Sequence, residues 1–97
     1  MPTDMPKPAP EVVVTLPGVL QRLFPGSARR VTLPAATVAD AIDGLDARWP
    51  GMRDRICDTR PAIRRHVNVF VDGERAMLET RLRPGAAVVV LTAISGG

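Results

Sequence analysis

The segment TVADAIDGLDARW, residues 37–49, carries the clearest helical pattern in this 97-residue chain. Thr37 is a good N-cap, with Asp40 three residues later, and Pro50-Gly51 ends the pattern. The apolar residues of the segment recur at the spacing of one helix face; they are Val38, Ala41, Ile42, Leu45 and Trp49. The segment therefore predicts one main helix that packs its apolar face against a core.

Short apolar and β-branched runs lie on both sides of this helix. Before it, Glu11–Leu16 and Arg30–Leu33 predict two strands, which we expect to pair antiparallel. Between them, Val19–Phe24 predicts a helical turn or an apolar flap. After the main helix, Met52–Pro61 predicts a further turn of helix with Met52 and Ile56 facing inward.

The second half of the chain predicts further strands. His66–Val71 alternates like a strand, and Asp72-Gly73 is a strong hairpin signal that a weak strand over Arg75–Leu78 would follow. A turn at Arg83-Pro84-Gly85 precedes the continuous apolar run Ala86–Ala93, which predicts a strand covered on both faces. The whole order predicts an α+β fold, a four- to five-stranded sheet with one main helix packed on one face.

Composition excludes several classes of protein. One Cys forms no internal disulfide and builds no zinc site, and no apolar run approaches the roughly 20 residues of a membrane helix. Thirteen basic against ten acidic residues give a net charge of +3, with Arg clusters at Arg29–Arg30 and over residues 53–65. With no Tyr, one Trp and two Phe, the chain lacks the aromatic platform of single-strand binders. We expect a cytoplasmic protein with no metal, membrane or nucleic-acid partner.

The two ends of the chain differ from its middle. Met1–Pro10 contains four prolines and predicts a flexible leader, which leaves residues 11–93 as the domain and 94–97 as a flexible Gly-Gly tail. The two glycines have three readings: ordinary fraying, a cloning remnant, or a chemical role. In the chemical reading, residues 93–97 span at most about 17 Å, enough to enter a narrow channel in another protein. Gly96 and Gly97 pass such a channel because they have no Cβ.

Four stretches carry a resemblance to a known family. They are Leu16-Pro17 with Leu20 following, the helix at 37–49, the strand Val67–Val71, and the end VVVLTAISGG at 88–97. From residue 12 to residue 97 the chain resembles the ubiquitin-like sulfur carriers of the β-grasp fold, which include the small subunit of molybdopterin synthase and the carriers of thiamine and cysteine biosynthesis. Molybdopterin synthase subunits usually have Asp-Gly-Asp and Pro-Pro where this chain has RPGA at 83–86 and LTA at 91–93. The chain looks most like the cysteine-biosynthesis carrier.

The resemblance implies a protein cosubstrate rather than an enzyme. An E1-like activating enzyme would use ATP to adenylate the carboxylate of Gly97 and convert it to a thiocarboxylate, with Gly96 giving clearance. A downstream biosynthetic enzyme would accept the sulfur, and the carrier itself would bind no cofactor. Two alternatives stay open: a protein modifier conjugated through Gly97, and a non-covalent β-grasp binding module.

Other candidate residues follow from their chemistry and position. We expect partner contacts from Leu20, Phe24, Ile94 and Ser95. Leu20, Leu23 and Phe24 either form an apolar docking patch beside the tail or, equally, complete the core. Cys57 has no His near it in sequence and predicts a half-buried structural thiol rather than a sulfur relay.

Overall fold

Residues 9–92 of the protein are described by a computed structural model. Most of the predicted leader and all of the predicted tail lie outside these residues. The elements in chain order are β1 (Glu11–Thr15), α1 (Gly18–Leu23), β2 (Arg30–Pro34), α2 (Val38–Arg48), α3 (Met52–Ile56), β3 (Val67–Val71), β4 (Glu74–Arg75) and β5 (Ala87–Thr92).

The strands form one mixed sheet in the order β2-β1-β5-β3-β4. β1 pairs antiparallel with β2, as predicted, and parallel with β5. β3 pairs antiparallel with both β5 and β4. The predicted α+β architecture, a mixed sheet with one main helix, is confirmed as the β-grasp fold.

Helix α2 begins and ends where the sequence predicts. The Thr37 hydroxyl accepts a hydrogen bond from the Asp40 N–H at 3.2 Å, so the cap is formed. After the helix ends, Gly51 adopts a φ of 100°, and an Asp46 carboxylate oxygen accepts from the N–H groups of Gly51 and Arg53, each at 3.0 Å. Asp46 thus caps α3, and Met52 and Ile56 of α3 are buried as predicted.

The predicted strand over Arg75–Leu78 is wrong for most of its length, because β4 contains only Glu74 and Arg75. The chain leaves β3 after Ala76 and turns, with the Thr80 hydroxyl accepting from the Met77 N–H at 2.9 Å. The carbonyls of Leu78 and Thr80 then accept from the N–H groups of Ala39 and Val38, at 2.9 and 3.0 Å. The segment caps the first turn of α2 instead of extending the sheet.

The prediction that the last strand is covered on both faces is also wrong. Val88 and Val90 are buried, but Val89 between them is half-buried and Leu91 is 47% exposed. The core lies on one face of the sheet only, so alternate residues of β5 face away from it. An apolar run does not distinguish a strand in a two-sided core from one whose second face is an exposed apolar surface.

Candidate functional site

The described part of the predicted site is the surface around the end of β5. This strand ends at Thr92, which pairs with Val67 of β3. The predicted site residues Ile94, Ser95, Gly96 and Gly97 lie outside the described residues. The residues that surround Thr92 are therefore the ones whose geometry bears on the site.

An apolar and basic groove of about 710 Å³ borders the end of β5. Within residues 9–92, four large hydrophobic side chains are exposed, and three of them line this groove: Val19 at 36%, Leu23 at 46% and Leu91 at 47%. Exposed apolar residues scattered singly need no explanation, but three around one groove indicate a binding surface. We call this the tail-root surface and define it as Val19, Arg22, Leu23, Arg55, His66 and Leu91.

Helix α1 supplies one side of the tail-root surface. Its first turn is held by the Pro17 carbonyl, which accepts from the N–H groups of Leu20 and Gln21 at 3.1 and 3.3 Å. The six-residue helix buries only Leu20, at 2% exposure, and so turns Val19 and Leu23 outward. The prediction that Leu20 contacts a partner needs correction, because Leu20 completes the core and its neighbour Leu23 is the exposed residue.

Phe24 lies at the margin of this surface. Its ring packs near Gly51, where an added Cβ would stand 3.5 Å from the Phe24 ring. The side chain is half-buried and lines a second groove with Leu23, Arg55 and His66, three residues of the tail-root surface. Phe24 is therefore placed beside the surface, and its contact with a partner stays a prediction.

The charge of the tail-root surface is positive. Arg22 and Arg55 are both exposed there and carry this charge, and Asp54 is the carboxylate that lines the adjoining groove. Within the described range the two ion pairs are Arg53–Asp43 and Arg60–Asp58, so neither Arg22 nor Arg55 has a carboxylate partner. A surface that combines exposed leucines with unpaired arginines suits a partner with apolar and acidic side chains.

Cys57 lies in the core and does not line the tail-root surface. Its side chain is 2% exposed and belongs to the core, deeper than the half-buried position predicted. Burial raises the pKa of the Cys57 thiol above its ordinary value of 9.0, since desolvation disfavours the thiolate. A buried neutral thiol is a weak nucleophile, which argues against a sulfur relay at this position.

The described part of the chain also bears on metal binding and on membrane insertion. Between residues 9 and 92, three potential metal ligands from His, Cys, Asp and Glu do not come together at any point. Over the same range, the helices are too short and too polar to cross a membrane.

Sequence and structure comparisons identify relatives of the chain. The model of the ThiS family matches residues 14–97. A chain of the Amycolatopsis orientalis BexX/CysO complex is 29% identical with a TM-score of 0.80, covering 89% of this chain and 99% of that one. SAMP1 from Haloferax volcanii is 27% identical with a TM-score of 0.77, covering 90% and 99%.

A third relative is CysO from Mycobacterium tuberculosis, 27% identical with a TM-score of 0.76, covering 86% of this chain and 99% of that one. No curated protein sequence matches the chain. Each of these three matches covers 86–90% of this chain and 99% of the other, so the similarity extends over nearly the whole of both chains.

Proposed function

The chain belongs to the ThiS family, and from this we propose that it is a sulfur carrier of the cysteine-biosynthesis or molybdopterin type. Its relatives support a ubiquitin-like carrier or modifier, a small protein that acts with enzymes rather than as one. We assign the carrier chemistry to the carboxylate of Gly97. The observation that carries the proposal is the tail-root surface, which borders the end of β5, the strand that precedes the Gly-Gly end of the sequence.

The chemistry begins from an unreactive carboxylate. An oxygen of the Gly97 carboxylate attacks the α-phosphorus of ATP, pyrophosphate leaves, and a carboxyl–AMP anhydride forms. A hydrosulfide ion then attacks the carbonyl carbon and expels AMP, which leaves a thiocarboxylate and a proton. ATP is a substrate of the activating enzyme, and the carrier supplies the acyl group.

The described residues support this role by position. Thr92 ends β5, and the five residues that follow reach at most about 17 Å, the depth of a narrow channel. A partner that binds the tail therefore also contacts the surface around Thr92, where Leu23 and Leu91 are exposed. We propose that this partner is an E1-like activating enzyme and, later, a sulfur-accepting enzyme, both in the cytoplasm.

A second candidate function shares the first activation step. The similarity to SAMP1, a small archaeal modifier protein, favours a protein modifier in which a lysine amine attacks the activated Gly97 and forms an amide. The fate of the acyl group separates the two functions. An isopeptide adduct of Gly97 with lysine, recovered from cell lysate by mass spectrometry, would favour the modifier.

Intact-mass analysis tests the proposal directly. The full chain is incubated with an activating enzyme of a related carrier, ATP and sulfide, and we expect a sulfur-for-oxygen exchange. Because persulfidation of Cys57 also adds sulfur, a Cys57→Ala variant runs in parallel and should keep the exchange. A chain lacking Gly97 should lose it.

Two outcomes of these experiments would contradict the proposed carrier function. If the chain forms neither adenylate nor thiocarboxylate with several such activating enzymes, the carrier function is wrong. A chain without Gly96 and Gly97 that retains its function in the cell would instead support a non-covalent β-grasp module.

A further inference from the structure

A third groove lies beside β3, and neither Leu23 nor Leu91 of the tail-root surface lines it. Its volume is about 530 Å³, within the range of pockets that hold ligands. Its walls are the loop at 61–65 and the turn at 75–79, with Ala39 of α2 and residues 67–69 of β3 between them. We call it the β3 groove.

The floor of the β3 groove is apolar and one rim residue is strongly exposed. Val67, Val69 and Ala76 are buried at its base, and Ile63 and Leu78 are half-buried beside them. Met77 is 65% exposed, the largest exposure among the large hydrophobic residues between positions 9 and 92. An unbranched methionine at the edge of an apolar groove adapts to the side chain of a bound peptide.

The rim of the groove is basic. Four arginines line it, and Glu79 is the one carboxylate in the lining; the arginines are Arg53, Arg64, Arg65 and Arg75. Arg53 is paired with Asp43 at 2.6 Å, and Arg64 donates to the neutral carbonyl of Asp54 at 2.8 Å. Because Arg64, Arg65 and Arg75 form no ion pair among residues 9–92 and Glu79 is one carboxylate against them, the groove presents a net positive charge.

Both walls are held in place without a ligand. On one side, Asp58 accepts from the N–H groups of Arg60 and Ala62, each at 3.0 Å, and Arg64 donates its N–H to the Ile56 carbonyl at 2.9 Å. On the other side, the turn at 77–80 is bonded to the first turn of α2. A groove whose walls are already ordered loses little conformational entropy when a ligand binds.

We infer that the β3 groove binds an acidic segment of a partner protein, an extended peptide that places apolar side chains on the floor and carboxylates against the arginines. The charge of the rim selects acidic over basic peptides, and the apolar floor selects peptides with Leu or Ile between the acids. A nucleic acid fits less well, because the groove is lined without aromatic side chains on which bases could stack. The inference goes beyond the proposed function and does not depend on Gly97.

The test uses the ¹⁵N-labelled full chain and the capped hexapeptide Glu-Asp-Leu-Glu-Leu-Asp. We expect saturable amide shifts concentrated at residues 61–65 and 75–79. Replacing the acids of the peptide by their amides should abolish binding. In the double variant Arg65→Glu/Arg75→Glu, whose two side chains are exposed, the affinity should fall at least about fivefold.

The matched control is Arg29→Glu/Arg30→Glu, which makes the same change of charge at exposed residues near β2, the opposite edge of the sheet. It should leave the affinity within about twofold, the loss expected from long-range attraction alone. Three outcomes would overturn the inference. They are an equal loss of peptide affinity in both double variants, amide shifts centred on the tail-root surface, and the absence of amide shifts at millimolar peptide. Tighter binding of a single-stranded oligouridine at the same amides would overturn it as well. Thiocarboxylate formation by Arg65→Glu/Arg75→Glu is measured in parallel and should be unchanged.

Discussion

The double variant Leu23→Ala/Leu91→Ala probes the tail-root surface. Full burial of a leucine side chain stabilises by about 1.5–3 kcal/mol. Since these two leucines keep 46% and 47% of their area exposed, about 0.7–1.4 kcal/mol remains available from each at an interface. If the two contributions add, their loss raises the KM of an activating enzyme for the carrier about 10–100-fold.

The assay is ATP–pyrophosphate exchange by the activating enzyme at varied carrier concentration. We expect KM to rise with little change in kcat, because the leucines contribute to docking and not to the reacting carboxylate. Urea unfolding should show a loss of about 0.8–1.6 kcal/mol for each leucine, from the half of its side chain that is already buried, so KM is compared where both chains are folded. Met77→Ala is the matched control: it removes a large exposed hydrophobic residue from the β3 groove and should leave KM unchanged. A KM change below twofold in the double variant, or an equal change in Met77→Ala, would refute the role of the tail-root surface.

Three further predictions concern stability and the thiol. Thr37→Ala removes the cap hydrogen bond to Asp40 and should lower the free energy of unfolding by about 1 kcal/mol, which Thr37→Ser should restore; urea titration compares them, and an unchanged midpoint in Thr37→Ala would contradict the cap. Leu45→Ala removes a side chain with 0% exposure and should cost about 2–5 kcal/mol in the same assay, so a loss below 1 kcal/mol would mean that α2 is packed differently. Because burial raises the pKa of Cys57, the folded state favours the neutral thiol. The stability that this preference contributes is complete below the pKa of the thiol in the unfolded chain. It is lost as the pH rises through the pKa of the thiol in the folded chain. Native Cys57 should therefore react with iodoacetamide far more slowly than in urea, and stability above pH 9 should fall more steeply than in Cys57→Ala; equal alkylation rates would disprove its burial.

Local patterns predicted most of the fold because each element follows from neighbouring residues. The cap at Thr37, the apolar face of α2 and the turn at Asp72-Gly73 depend on side chains a few positions apart, and the structure contains all three. The antiparallel pairing of β1 with β2 was predicted from their closeness in sequence. Short-range signals therefore sufficed wherever the partners were close along the chain.

The surfaces were harder to predict because burial depends on contacts between distant segments. Leu20 and Leu23 are both apolar residues of one short helix, and only the packed structure shows which of them faces the core. Similarly, Leu91 is 47% exposed although it stands in a continuous apolar run, because the core covers one face of the sheet. Arg55 and His66 join Leu91 at one groove only once the chain has folded. The sequence did contain one usable signal. Helix α1 has only six residues, too few to bury both of its leucines, so one of them had to be exposed.

The shortness of β4 connects the fold to the second proposed surface. Had residues 75–78 continued as a strand, they would have covered the edge of β3 along Val69 and Asn68. Instead, the carbonyls of Leu78 and Thr80 bond to the N-terminus of α2, and this supplies partners for N–H groups that the helix cannot satisfy itself. The same turn leaves Met77 exposed at the rim of the β3 groove. The capping of the main helix thus opens a basic, apolar groove whose lining contains neither exposed leucine of the tail-root surface.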